Sequence, residues 1–131
     1  QGGQSINPDW IAEGDFAVGP ALQAGLRILR EKNRPTAIFA SNDDMAAGVY
    51  AAAQQLGLTV PGDISIVGFD NQPIATSLWP NLTTVHQPIA NMAFRAVELL
   101  SNPRNGINSR TERDHIFPFD IIVRDSVARP S

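Results

Sequence analysis

The stretch TAIFASNDDMAAGVYAAAQQLGLTVPGDISIVGFDN, residues 36–71, decides the fold. It begins with an apolar run at 36–40, which suits a strand buried on both faces. Four polar residues at 41–44 follow, any of which could cap a helix, and the Ala-rich segment after them has apolar residues at helical spacing. Gly57 fits the left-handed position after that helix, and 64–69 is a second apolar strand. A strand, a crossover helix and a strand predict a parallel pair with a right-handed connection.

Polar side chains follow both strands of this unit. Asn42 comes after the first strand and Asp70 after the second. Because the carboxyl ends of parallel strands lie at one edge of a sheet, we expect the two side chains to lie side by side. An ionised Asp only accepts hydrogen bonds, whereas Asn also donates, so the pair suits a ligand rich in hydroxyl or amine donors. On the residues alone, Asn42 could equally cap the helix and Asp70 could be a turn residue.

The composition sets broad bounds on the class of protein. The 131 residues fit one domain or one lobe of a larger one, and 43% hydrophobic with 18% charged residues is ordinary for a globular chain. A net charge of −3 gives no electrostatic footprint for nucleic acid, and no cysteine is present for disulfide or thiolate chemistry. No signal peptide and no apolar run of membrane-spanning length are present, which predicts a cytoplasmic location without a membrane partner. The start at Gln1 indicates a fragment or a processed product.

Three further strands are predicted outside this unit, at 9–13, 82–87 and 115–124. Pro118 lies inside the last of them and favours an edge position or a bend. The other predicted elements are a helix opened by Pro20, a short helical turn within 72–81, a helix after Pro88 and a loop at 102–113. The alternation of strands and helices indicates an α/β architecture.

Five segments match one known family in order and spacing: GDF at 14–16, the run at 35–71, PNLTTVHQP at 80–88, AVELL at 96–100 and VRDS at 123–126. They resemble the carboxy-terminal part of the effector-binding domain of LacI/GalR-type (lactose-repressor/galactose-repressor) transcription regulators. VPGDISIVGFD together with LTTVHQP is highly specific and favours the repressor branch over the periplasmic one. The resemblance implies an α/β fold, with a parallel sheet flanked by helices, as a partial second lobe of the doubly wound, type I periplasmic-binding-protein-like fold.

The resemblance also implies how the chain is divided. Residues 1–131 would form a single partial effector-binding domain, with 1–87 and 115–131 in the second-lobe sheet. Residues 88–114 would be a crossover helix and loop that pack on the other lobe in a full protein. We therefore expect the apolar face of that helix to be buried by a second copy or rearranged onto this lobe. DNA would be bound only by an amino-terminal domain absent from this chain.

The family's ligand pocket maps onto four residues of this sequence. The resemblance places Asn42 and Asp70 against the ligand, stacks the ring of Phe16 on it, and lets Gln87 reach it directly or through water. On chemistry alone, Phe16 is more often a core residue, and Gln87 is as well suited to a hydrogen bond at a hinge. Asp43 is expected only to cap the helix, and Arg124 to be structural or part of a surface ion pair.

Three function classes follow. The favoured one is the effector-binding and dimerisation part of a LacI-type transcriptional regulator. It would form a homodimer, and its small-molecule effector would be a sugar, with a purine or nucleoside second. The alternative is the sugar-binding lobe of a transport-type binding protein. An enzyme using the carboxylates of Asp43, Asp44 and Asp70 is disfavoured, because no phosphate-binding loop and no recognisable nucleophile motif are present. Neither a cofactor nor a metal is predicted.

Overall fold

Four strands form a single sheet in the computed structural model, which describes residues 6–101 and 116–129. The strands are β1 (Ala37–Phe39), β2 (Ser65–Phe69), β3 (Thr83–His86) and β4 (Asp120–Ile122), and they are ordered β1-β2-β3-β4 across the sheet. Strands β1, β2 and β3 are parallel, and β4 is antiparallel to β3. The α/β prediction is confirmed, with the addition that the sheet is mixed because its last edge strand is reversed.

In the described part of the chain, three α-helices accompany the sheet, namely α1 (Val18–Leu29), α2 (Asp43–Gln55) and α3 (Ile89–Ser101). Helix α2 is the crossover between β1 and β2, as the stretch 36–71 predicts. Its small residues Ala46 and Ala52 are completely buried and pack in one core with Ile64 and Ile66. This burial of apolar surface drives the docking of α2 on the sheet.

Helix α1 packs closely on α2 because small residues line the contact. A Cβ added to Gly48 would lie 2.5 Å from the backbone oxygen of Val18 and 2.8 Å from Cβ of Ala21. Only a glycine therefore allows the two helix backbones to approach this far. Helix α1 begins at Val18, two residues before Pro20, so the prediction that Pro20 opens the helix is wrong by half a turn.

Residues 9–13 do not form the predicted strand. A short 3-10 helix, Pro8–Trp10, begins at Asn7, whose side chain accepts a hydrogen bond from the backbone of Asp9. The guanidinium of Arg27 then donates to the backbone oxygens of Asp9 at 3.1 Å and Ile11 at 3.0 Å. These carbonyls bond to a helix side chain instead of a neighbouring strand, which explains why the prediction is wrong.

The segment between β2 and β3 contains the predicted helical turn, a 3-10 helix at Pro73–Thr76. Leu78 packs partly against the core, but the side chain of Trp79 is 84% exposed.

Tyr50 links α2 to the turn before β3 by a hydrogen bond. Its hydroxyl donates to the backbone oxygen of Pro80 at 2.8 Å. Burial raises the pKa of Tyr50 to about 12, and the negative charge of Asp125 adds to this rise while a hydrogen bond with Ser126 opposes it. Tyr50 is thus a neutral hydrogen-bond donor at physiological pH.

Helix α3 has no buried residue, and its apolar side chains are exposed, among them Ile89, Phe94, Val97 and Leu100. The expected rearrangement of this helix onto the lobe is therefore not found. Strand β4 lies at the edge of the sheet, as Pro118 predicts. The predicted loop at 102–113 lies outside the described residues, and no helix within 6–101 or 116–129 is long and apolar enough to cross a membrane.

Candidate functional site

The carboxyl ends of β1, β2 and β3 lie at one edge of the sheet because these strands are parallel. Phe39 pairs with Val67, and Asn42 and Asp70 each lie three positions beyond this pair. The register therefore places the strand ends that precede Asn42 and Asp70 beside each other. Gln87 follows β3 at the same edge. The ends of the three strands thus lie together as the sequence predicts, and a shared ligand for Asn42 and Asp70 stays a prediction.

The side-chain amide of Asn42 makes two hydrogen bonds to the backbone. Its Oδ1 accepts from the backbone nitrogen of Met45 at 2.8 Å, so it is the N-cap of α2. Its Nδ2 donates to the backbone oxygen of Phe16 at 3.3 Å. The helix-cap alternative is thus correct, and it also fixes the orientation of the amide. The NH₂ group keeps a second hydrogen that it can donate to a ligand.

The carboxylate of Asp70 contacts the side chain of Gln87. Nε2 of Gln87 donates to Oδ1 of Asp70 at 2.8 Å, and both residues are half-buried. Within the described part of the chain, Oδ2 of Asp70 accepts no hydrogen bond. The pair shows how Gln87 holds the carboxylate in place while one oxygen stays available.

The ring of Phe16 points away from the core, with 70% of the residue exposed. The core alternative for this residue does not hold. Its backbone oxygen accepts from Asn42, which ties the loop before α1 to the end of β1. An exposed aromatic face beside polar groups is the arrangement that ring-shaped ligands require.

Backbone strain coincides with these residues. Among the described residues, the non-glycine positions with positive φ are Asp15 at 48°, Phe16 at 51°, Asp70 at 101° and Asn71 at 54°. Such conformations cost about 1–3 kcal/mol each and concentrate at ligand-binding sites. Phe16 and Asp70 are two of the four predicted site residues. Sequence reasoning gave no sign of this strain, because Asp and Asn are also common in relaxed turns.

Asp43 has a different role from the simple helix cap that its position in the sequence predicts. The residue is completely buried at the start of α2. Its Oδ2 accepts from the backbone nitrogen of Gln72 at 2.7 Å, and its Oδ1 accepts from the hydroxyl of Thr84 at 2.6 Å. Asp43 therefore joins the start of α2 to the segment after β2 and to β3. The sequence contains no local signal for these long-range partners.

Arg124 is structural, as one of its two alternatives predicts. Its guanidinium donates to the backbone oxygen of Leu82 and to Oδ1 of Asn71, both at 2.7 Å. It makes no ion pair with Asp125 in the described residues, where Arg95 and Glu98 form one on α3. Arg124 therefore connects Asn71, the neighbour of Asp70, to the backbone at the start of β3.

A separate apolar groove of about 810 Å³ runs beside β1. Its lining includes Trp10, Ile11, Ile28, Ile38, Phe39 and Met45, and none of the four predicted site residues. Strand β1 is an edge strand, so the groove lies along a strand edge without a strand partner in the described residues. Edges of this kind are normally paired or covered in a native protein. The groove is thus a feature of the sheet edge, distinct from the polar strand ends.

Comparison with known proteins identifies the family. The model of the periplasmic binding protein-like domain matches residues 2–127. The HTH-type transcriptional repressor PurR of Vibrio vulnificus is 38% identical over 127 residues, which cover 95% of this chain and 37% of that protein. This chain therefore spans well under half the length of that curated relative.

Two solved structures show the same fold. A LacI family transcriptional regulator from Enterococcus faecium with bound ribose has a TM-score of 0.72 at 28% identity, covering 88% of this chain and 42% of that one. A dimeric Lac repressor with an 11-residue C-terminal deletion has a TM-score of 0.79 at 29% identity, covering 91% and 43%. The chain belongs to the periplasmic binding protein-like domain family, as part of the effector-binding domain of a LacI/GalR-type transcription regulator.

Proposed function

We propose that this chain binds a small-molecule effector at the ends of β1, β2 and β3, and thereby controls DNA binding by a domain outside it. The observation that carries the proposal is the strained backbone of Phe16 and Asp70 beside Asn42. Together they offer an exposed ring, a carboxylate oxygen and an amide hydrogen at one edge. A regulator of this kind acts in the cytoplasm, where its DNA is.

We propose a purine-type effector first and a sugar second. The sequence favours a sugar, but the PurR relatives suggest a purine-type ligand. The ring of Phe16 can stack on a purine, while Asp70 accepts from its N–H groups. The ribose bound to the Enterococcus faecium regulator supports the sugar as the second candidate.

The contact between Asp70 and Gln87 offers a route from the ligand to the rest of the regulator. Gln87 directly precedes Pro88 and α3, the helix that we propose packs on the other lobe with residues 88–114. A ligand donor that binds Asp70 competes with Gln87 for the carboxylate. Ligand binding then favours one arrangement of the crossover over another, which is a shift of populations between two states.

A thermal-shift screen tests the effector proposal. We expect adenine or adenosine, and otherwise D-ribose or sucrose, to raise the melting temperature of the chain in a concentration-dependent way. A ligand present at about ten times its dissociation constant stabilises the folded state by roughly 1.4 kcal/mol. Probes at about 10 mM are needed, because a single lobe holds only part of a pocket and binds at the weak, millimolar end of the affinity scale. No shift with any of the four compounds would contradict the proposal.

We also propose that this chain, when the other lobe is not there to cover α3, self-associates as a homodimer through the exposed apolar face of that helix, which includes Val97 and Leu100. A large exposed apolar patch marks an interaction surface.

Sedimentation velocity tests the self-association. We expect dimers at about 10–100 μM that dissociate in Val97→Glu, because a buried carboxylate without a partner is strongly unfavourable. Asn91→Glu adds the same charge to an exposed polar position of α3 and should leave the dimer intact. A monomer at all concentrations would contradict the proposal.

A further inference from the structure

The buried carboxylate of Asp43 lies beneath the strand ends. Burial of a carboxylate is unfavourable unless hydrogen bonds or a cation compensate it. No Lys or Arg pairs with Asp43 in the described residues, where the recorded ion pair is the one on α3. The compensation comes instead from two short hydrogen bonds, with Gln72 at 2.7 Å and Thr84 at 2.6 Å. Bonds to a charged acceptor are about twice as strong as neutral ones.

The partners of Asp43 belong to the segments that carry the site. Gln72 lies two residues after Asp70, and Thr84 lies in β3, three residues before Gln87. The hydroxyl oxygen of Thr84 also accepts from the backbone nitrogen of Asn71 at 3.3 Å. The amides of Asn71 and Gln72, the two residues after Asp70, therefore both end on this one network, whereas the amide of Asp70 donates to the backbone oxygen of Val85.

Asp43 is also the covalent neighbour of Asn42. The amide of Asn42 and the segment of Asp70 are thus connected through a single carboxylate that accepts two hydrogen bonds. An asparagine at position 43 cannot keep all of these bonds, because its NH₂ group would either face the backbone N–H of Gln72 or require the hydroxyl of Thr84 to turn its hydrogen away and accept instead. The pattern of two donors requires an acceptor at both oxygens.

We propose that Asp43 is a positioning residue, which sets the spacing between Asn42 and Asp70 and keeps the strained backbone of Asp70 and Asn71 in its binding conformation. It does not touch the ligand itself, since it is completely buried. This inference rests on the proposed effector site. The experiment below separates its failure from that of the site.

The test compares variants that lose hydrogen bonds around the Asp43 carboxylate with control variants that keep them. Asp43→Asn disrupts one of the two bonds to the carboxylate, and Thr84→Val removes both bonds of the Thr84 hydroxyl, to Asp43 and to the amide of Asn71. As controls, Thr84→Ser keeps the hydroxyl, and Ile64→Val trims the core at the other end of β2. Adenosine and D-ribose are each titrated into the chain while amide NMR spectra are recorded. We expect a loss of affinity of about 10-fold for the first pair and less than about 2-fold for the controls.

Amide hydrogen exchange gives a readout that needs no ligand. In Asp43→Asn, the amides of Asn71 and Gln72 should exchange about 10-fold faster, or more, relative to the amides of β2. In Ile64→Val, all protected amides should change together with the global stability. If Asp70→Gly abolishes binding while Asp43→Asn binds normally and protects these two amides, the site stands and the positioning role is wrong. If the wild-type chain binds neither probe, the exchange result alone decides the role of Asp43.

Discussion

Asp70→Gly should lower the affinity of the chain for its effector by about 10- to 100-fold, because a hydrogen bond to a charged group contributes about 1.5–3 kcal/mol. The fold should remain intact. Asp70 has a φ of 101°, a conformation that glycine adopts without strain, so removal of the side chain relieves the backbone. The variant also loses the hydrogen bond from Gln87, which offsets this relief, so the stability should change little while the affinity falls. Chemical denaturation and ligand titration on the same sample measure both.

Two further variants sharpen this prediction. Asp70→Ala removes the same carboxylate but keeps a Cβ at positive φ, so it should bind as weakly as Asp70→Gly and be less stable. Asp44→Ala removes an exposed carboxylate from the first turn of α2 and should leave the affinity unchanged. An unchanged affinity in Asp70→Gly would reject the assignment of Asp70 to the site.

Gly68→Ala should be the most destabilising single-methyl addition in the sheet. A Cβ at Gly68 would overlap Oδ1 of Asp43 and lie 2.8 Å from Cδ2 of Leu82. Asp43 cannot move away without losing its bonds to Gln72 and Thr84. Overpacking and a lost charged hydrogen bond together predict a decrease of about 3 kcal/mol in the free energy of unfolding. The melting temperature should fall by roughly 10 °C for a chain of this size.

Gly19→Ala is the matched control, since an added Cβ there meets no atom within 4 Å. Its stability should be unchanged or slightly higher, because alanine favours a helix over glycine by up to about 1 kcal/mol. In an Asp43→Ala background, Gly68→Ala should lower the free energy of unfolding by less, because Oδ1 of Asp43, which the added methyl group would displace, is no longer present. Equal effects of Gly68→Ala in both backgrounds would show that the carboxylate does not limit the space.

The crossover unit could be predicted because its information is local. Apolar runs, an Ala-rich helix and turn residues determine β1, α2 and β2, and the parallel pairing then places Asn42 and Asp70 together. The family resemblance adds Phe16 and Gln87, whose positions at the same edge agree with it. Their contact with the ligand stays a prediction.

The features that the sequence did not reveal depend on distant partners. Residues 9–13 have the composition of a strand, but the side chain of Arg27 in α1 donates hydrogen bonds to the backbone oxygens of Asp9 and Ile11. Asp43 has the position of a helix cap, but its bonds are made 29 and 41 residues away. Such long-range hydrogen bonds leave no periodic pattern in the sequence, and neither does the positive φ of Phe16.

An NMR titration of the isotope-labelled chain with adenosine, and then with D-ribose, tests the central claim most directly. If the strand ends form one ligand site, the side-chain amide of Asn42 and the backbone amides of residues 70–72 will shift together and give one dissociation constant. Shifts that are confined to the apolar groove beside β1, around Ile11 and Phe39, would contradict the account. So would two different dissociation constants for Asn42 and for the segment of Asp70.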